Sequence, residues 1–444
     1  MPAKAADTSM KARVGAPPLA AREPLIMAAA FLNSMVIVSG VPMIGAQAAY
    51  VSFPSGAHLA ACQLCFLVPQ LVTTLVAEQL TLHVGACALL LGTLLCTTGS
   101  TAIVALSLSH RALSLFFAAC VVNGFFRHDK TFFAVTANAL HMPIVDVSAA
   151  SQYGMMAGML LSGIAGDITG NAVQVVRLFM GLEALAAALV LARFLLGSRT
   201  VVVTARVSQE YAQWLPSLAR APTVVYRAVA LLTAVLLAAS VNQVMYPIVG
   251  PSFGLPYSFI GAHLCFNLVL QTIFVPRLVE VAKRTMRRWK PNVLLVGSTE
   301  EKLTIVSGIF LLAGCSGVPY AADYGPITFY LASLLLVDAP AGILAALAAS
   351  SVEAAFGKAP GDAPKVARLV RHITQVVKMF AAPLRICTSE SFTGPKHPVR
   401  CISVPLMIYA LVYTRTRSVT YAAAGWAATL LLLTTNISSR EGDL

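Results

Sequence analysis

The chain of 444 residues reads as an all-α protein, a polytopic transmembrane helical bundle of about eleven spans in a six-plus-five arrangement. The first sign is length and apolarity. Runs such as 27–46, 58–76, 84–106, 178–196 and 228–248 are built almost wholly of Ala, Leu, Val, Ile, Gly and Met, and a bilayer core about 30 Å thick takes about 20 such residues per helix. The second is composition: 58% of residues are hydrophobic, 11% are charged, and the mean hydropathy is +0.78. A soluble chain of this length divides into domains with far more surface charge. The third is where the charge sits. The formal net charge of +13 is gathered in the gaps between apolar runs and forms no continuous basic face, so it speaks for membrane topology and against a nucleic-acid partner.

Spans are expected near 25–48, 57–78, 83–107, 112–142, 147–168 and 172–196, then 225–248, 256–279, 303–320, 325–351 and 418–436. Residues 1–24 form a tail with Lys4, Lys11, Arg13 and Arg22, and 25–196 a six-helix unit. A basic connector follows at 197–224, and 225–436 forms a five-helix unit before a short tail at 437–444. The late, long first apolar run is expected to stay as a span, with no cleaved signal peptide. Basic residues concentrate in the N-terminal tail, the connector, 277–302 and 357–400, whereas 51–57, 167–171, 250–256 and 319–326 have almost none. Lys and Arg are retained on the cytoplasmic side, so the N-terminus is expected in the cytoplasm. The alternation holds if 112–142 crosses once; a split at Arg127–Lys130 would invert everything downstream and place the 284–290 cluster outside.

Two segments are expected on the membrane surface: 199–220, with Trp214 and Pro216, and an amphipathic stretch near 366–385. Residues 401–413 are short for a span, and would be re-entrant or a twelfth crossing. The sequon at Asn436 would lie outside with eleven spans. Gly154, Gly158, Gly163 and Gly166 put small-residue faces on the fifth span, where helix backbones approach closely. Pro42, Pro69, Pro143, Pro247 and Pro340 are expected to interrupt helices; in transporters such breaks line a cavity, and elsewhere they are common kinks. Nine cysteines are scattered in apolar runs. The Cys62-x-x-Cys65 pair reads as small buried hydrophobes rather than a metal or redox site.

Ionisable groups inside a bilayer cost several kcal/mol unless they face a cavity or a partner. The sharpest group is Arg127-His128-Asp129-Lys130, in the fourth span. On a continuous helix Arg127, Thr131, Ala134, Asn138 and His141 share one face, which would line a polar pathway with Asp129 or Asp146 as counter-charge. The alternative is a span that starts later and leaves the group among lipid headgroups. Amides recur at mid-span: Gln70, Asn123, Gln152, Asn242, Gln243, Asn267 and Gln271, with Asp338 beside them. Asn267 and Gln271 are four apart and share a face. Their paired donors and acceptors suit heterocyclic bases and sugar hydroxyls; taken singly, each could equally join two helices for about 0.6 kcal/mol. Enzyme motifs are missing: no HExxH, GxSxG or Walker loop occurs, and Ala165-Gly166-Asp167 only approaches the GxGD of intramembrane proteases. The expectation is a protein without enzyme activity and without a cofactor.

Layout and local motifs resemble the equilibrative nucleoside transporter family, a branch of the major-facilitator-like architecture. The similarity lies in Val121-Val122-Asn123-Gly124, Asn138, Pro143 and Ser151-Gln152-Tyr153-Gly154-Met155-Met156-Ala157-Gly158. It continues in Val244-Met245-Tyr246-Pro247-Ile248-Val249-Gly250 and in Phe266-Asn267. Leu270 and Phe274 stand where the family's eighth-span motif has Asp and Arg, and the first span lacks the family's Trp. The resemblance implies a multi-pass transporter, monomeric and in the plasma membrane, that moves a nucleoside or nucleobase, purines foremost, by alternating access. In that reading Arg127 and Asp129 orient or charge-balance the cavity, and Asn138, Gln152, Asn267 and Gln271 hydrogen-bond the substrate. A carrier for another small polar solute and a non-transporting membrane or envelope protein are the rival readings.

Overall fold

A computed structural model describes residues 23–42, 56–127, 129–140, 142–196, 232, 253–288, 299–300, 303, 306–311, 313–314 and 326–356. Expectations for both tails, the connector, the seventh and eleventh spans, 366–385, 401–413 and the Tyr246-Pro247 motif lie outside these residues, as does half of the ninth span. The described elements are all helical. They are α1 (Pro24–Ser39), α2 (Gly56–Val84), α3 (Ala86–His110), α4 (Leu113–Phe126), α5 (Asp129–Ala139), α6 (Ile144–Thr169) and α7 (Ala172–Leu196). Then come α8 (Tyr257–Val269), a π-helical turn (Leu270–Phe274), α9 (Val275–Arg288) and α10 (Ile327–Phe356).

Most of these helices are apolar all round, as a membrane helix must be, whereas α9 is amphipathic and rich in Arg and Lys. On α7, Val173, Val176, Phe179, Ala187 and Val190 are buried, while Leu178, Leu185, Leu191 and Leu195 are exposed. Ala86–His110, Ala172–Leu196, Tyr257–Phe274 and Ile327–Ala354 are long and apolar enough to cross a membrane. The core of the first half is where α1, α3, α5 and α7 meet, through Ile26, Ala29, Ala30, Leu90, Leu94, Phe133, Ala137, Ala186 and Val190. Alanine there lets backbones come close, and close packing takes the place of a hydrophobic driving force that lipid does not supply. Several hydroxyls of α2 and α3 are satisfied within their own helix: Thr73, Thr81, Thr93 and Thr97 each donate to a carbonyl three or four residues back.

Helix direction follows from glycine contacts. A Cβ on Gly154 would strike the backbone of Phe31, and one on Gly158 that of Met35, so α6 runs parallel to α1. A Cβ on Gly163 would strike the backbone of Tyr257, and one on Gly261 that of Met159, so α8 runs back antiparallel to α6. The start of α1 and the far end of α9 therefore lie at one end of the molecule. Arg193 of α7 and Glu23 form a two-pronged ion pair at that same end, at 2.6 and 2.7 Å.

Three expectations about helix continuity are corrected. The continuous fourth helix over 112–142 is broken: α4 stops at Phe126 and α5 starts at Asp129. Neither Pro nor Gly stands at the break; it coincides with an ion pair described below. The break does not reverse the chain. Ser100 of α3 donates to the Ala119 carbonyl of α4 at 2.9 Å, and Thr136 of α5 donates to the Ala86 carbonyl at the other end of α3 at 3.5 Å. Both segments thus run the same way along α3. Pro69 and Pro340, expected to interrupt, sit inside continuous α2 and α10. Conversely, the eighth span is irregular where no proline or glycine announces it, at the π-helical turn.

Candidate functional site

Among the described residues, a polar group centred on a buried carboxyl stands in the apolar interior of each half. In the first half, the chain leaves helical geometry at Arg127 (φ −82°, ψ 66°), whose N–H still donates to the Asn123 carbonyl at 2.7 Å. The guanidinium Nη2 donates to Glu183 Oε1 at 3.0 Å and to Thr101 Oγ1 at 3.0 Å. The Thr101 hydroxyl donates to Glu183 Oε2 at 2.6 Å. Side-chain exposure is 14% for Arg127 and 0% for Glu183. Three helices, α3, α4 and α7, are thereby tied through one carboxylate. A bare carboxylate in hydrocarbon would be prohibitive, and a partner with further hydrogen bonds makes it tolerable.

This corrects the expected counter-charge. Arg127 pairs with Glu183, on the sixth span, because the helix break turns it toward α3 and α7. The same break removes Arg127 from the face shared by Thr131, Ala134 and Asn138. Asp129 opens α5 and Asn138 lies in its last turn. Gln152 is half-buried on α6, next to buried Ser151 and two residues before Gly154. Glu183 is the residue that reading missed. The available signal was an acid in the middle of the sixth span, the natural complement of a base in the middle of the fourth.

In the second half, Gln271 Nε2 donates to Asn267 Oδ1 at 3.0 Å, as their spacing suggests. Asn267 is buried, and its side chain also hydrogen-bonds the carboxyl of Asp338 on α10, itself only 2% exposed. Exposed Gln271 lies in the π-helical turn, so the chain Gln271–Asn267–Asp338 leads from an accessible amide to a buried carboxyl. π-turns inside α-helices are frequent at functional sites. Just beyond it, Val275 packs on Gly342, which brings α9 against α10 two residues after Pro340. The group offers amide donors and acceptors beside one acid, a set that can bind a neutral polar solute in a fixed orientation.

Among the described residues no group of three or more His, Cys, Asp or Glu side chains is placed to hold a metal ion. Cys62 of the Cys-x-x-Cys pair is buried and meets the thiol of Cys120 on α4 rather than that of Cys65.

No family model and no curated protein matches the sequence. Solved structures do match the fold. The nucleoside transporter NupG superposes with a TM-score of 0.63 at 11% identity, over 94% of this chain and 98% of that one. An autoinhibited peptide transporter of the POT family gives 0.62 at 13%, over 93% and 95%. A bacterial homologue of the human lysosomal transporter Spinster, inward-facing and unoccupied, gives 0.54 at 9%, over 94% and 92%. The chain shares its fold with these three solved structures. With four described helices long and apolar enough to span, the chain is an integral, multi-pass membrane protein. Its helical architecture agrees with the sequence-based expectation.

Proposed function

We propose that this protein is a secondary transporter that moves a nucleoside or nucleobase across a membrane by rocking its two helical halves about a central site. The observation that carries the reading is the Gln271–Asn267–Asp338 chain on the π-helical turn, inside a transporter fold. Amides and a carboxyl match the ring nitrogens, exocyclic amines and ribose hydroxyls of a nucleoside, and the neutral partners suit an uncharged solute. The likeness to NupG in fold adds to this. Arg127 holds the first half together through Glu183 and bears on transport through that rigidity; Asp129, Asn138 and Gln152 remain assigned to the substrate path by the family resemblance alone. The chain acts as a monomer in the plasma membrane with its N-terminus in the cytoplasm, and any driving force is a solute or ion gradient.

The fold likeness to a peptide transporter is equally close, which favours one second reading: a carrier for another small polar solute. Uptake of radiolabelled adenosine in cells deficient in nucleoside transport, competed by bases, sugars, amino acids and dipeptides, separates the two. Competition by purine nucleosides at the lowest concentration supports the proposal. Uptake displaced by dipeptides or sugars instead supports the second reading, and no uptake of any solute supports the non-transporting alternative.

A further inference from the structure

The contact between the two halves, where α6 meets α8, has an unusual construction. The first N–H groups of a helix have no partner within it and are normally satisfied by a side chain at the N-cap. The N-cap of α8 is Pro256, which offers no side-chain acceptor and makes no cap hydrogen bond. The acceptors come from the other half. The carboxylate of Asp167, at the end of α6, takes the N–H of Tyr257 on Oδ1 at 2.7 Å and that of Ser258 on Oδ2 at 2.9 Å. Its negative charge also sits at the positive end of the α8 dipole.

Beneath this cap the backbones touch. Gly163 lies one turn before Asp167 and abuts the carbonyl of Tyr257; Gly261 lies one turn after Tyr257 and abuts the carbonyl of Met159. Glycine is required at both positions, since any Cβ would collide with backbone. The earlier part of α6 is bound to the first half through Gly154 and Gly158 against α1, and α8 continues into the π-helical turn that joins α10 in the second half. The capped crossing therefore ties the two halves at the end of the molecule away from Glu23.

We propose that Asp167 is a conformational latch, holding the halves closed at this end by capping α8 across the interface, and that its release accompanies opening of the transport pathway there. The proposal rests on the alternating-access reading above. Opening must pull the α8 N-terminus off the carboxylate, so two charge-assisted hydrogen bonds are lost and two orphan N–H groups return to water. The latch is polar and exposed, and this makes it reversible: water replaces both partners once the helices part. The contact of α6 with α8 at Gly163 and Gly261 is the same whichever residue stands at 167, so losing the carboxylate shifts the balance toward the open form without abolishing the closed one.

The test is a distance measurement in lipid nanodiscs. Spin labels are placed at Ile168 and Phe259, both exposed, in the full chain with its nine native cysteines replaced. Double electron–electron resonance then compares Asp167, Asp167→Asn and Asp167→Ala. The expected result is a longer-distance population whose ratio to the short one rises about tenfold in Asp167→Ala, with Asp167→Asn between the two, since its amide oxygen keeps one acceptor. An unchanged distribution overturns the latch; if Asp167→Ala is not monodisperse, Asp167→Asn alone decides by the same criterion. Uptake by the unsubstituted protein is measured in parallel. Absent uptake of every solute counts against the transporter reading, whereas normal uptake with unchanged distances counts against the latch alone.

Discussion

At the scale of single residues, the two interior polar groups call for opposite experiments. Asn267 and Gln271 make their hydrogen bonds with each other and with Asp338, at a position where Gln271 is exposed. Asn267→Leu and Gln271→Leu should each cut uptake about tenfold or more while surface expression holds, the loss expected when a site built to hydrogen-bond a solute no longer does so. Uptake equal to wild type in both would remove the eighth span from the site. Arg127 and Glu183 are a buried pair, and losing either strands the other at a cost of about 3–5 kcal/mol. Arg127→Ala and Glu183→Ala should therefore lower folded yield and melting temperature sharply. The double variant Arg127→Met with Glu183→Leu should recover much of both, because an apolar pair of similar volume replaces a desolvated ion pair at little net cost. A double variant as unstable as either single one, measured by thermal shift in detergent, would contradict this account.

At the scale of elements, the fold depends on where helices touch and where they deviate. Gly158 lets α6 lie directly on α1, and a Leu there would collide with the backbone of Met35. Gly158→Leu should destabilise by about 1–3 kcal/mol or more, as overpacking does, read as a lowered melting temperature. The same substitution at Gly99, where nothing lies within 4 Å of an added Cβ, should be tolerated. The π-helical turn offers a second test. Removing Thr272 would let the segment close as ordinary α-helix, because a π-turn holds one residue more than an α-turn, and the helix after it would keep its phase. Val275 would stay on Gly342, whereas Gln271 would change its setting relative to Asp338. Uptake should fall while surface expression holds; unchanged uptake would show that the turn has no part in the mechanism. The small-residue faces at Gly154, Gly158 and Gly163 were legible from spacing alone, because glycine at helical intervals in an apolar run has few other uses. The π-helical turn was not, since nothing in Leu-Gln-Thr-Ile-Phe differs from an ordinary helix. The broken fourth helix was half legible: four polar residues in mid-span signalled trouble without specifying its form.

At the scale of the whole molecule, direction and charge combine into a topology test. The parallel run of α6 with α1 and the antiparallel run of α8 with α6 put the start of α1 and the basic end of α9 on the same side. Arg277, Lys283 and Arg284 gather at that end, where Lys283 meets Glu300 at 2.9 Å. The positive-inside rule assigns such an end to the cytoplasm. Single cysteines placed near residue 10 and at Arg284 should both resist a membrane-impermeant maleimide on intact cells and both react after permeabilisation. Labelling of both from outside would invert the assigned orientation, and labelling of only one would contradict the helix directions themselves.

What the sequence determined by itself is the class of protein: an all-helical membrane bundle, with its glycine faces and the Asn267–Gln271 pair. These features are local. Apolarity is a property of each residue summed over a bilayer's thickness, and a helix places i and i+4 together whatever surrounds it. The tertiary structure alone decided which charges and caps belong to one another. Arg127 finds its carboxylate 56 residues away, where its sequence neighbourhood pointed to Asp129 or Asp146, and α8 takes its cap from 90 residues away. Inside a membrane a polar group must be satisfied by whichever helix the packing brings within about 3 Å. That neighbour is chosen by the fit of small and large side chains along whole helices, which no single stretch of sequence contains.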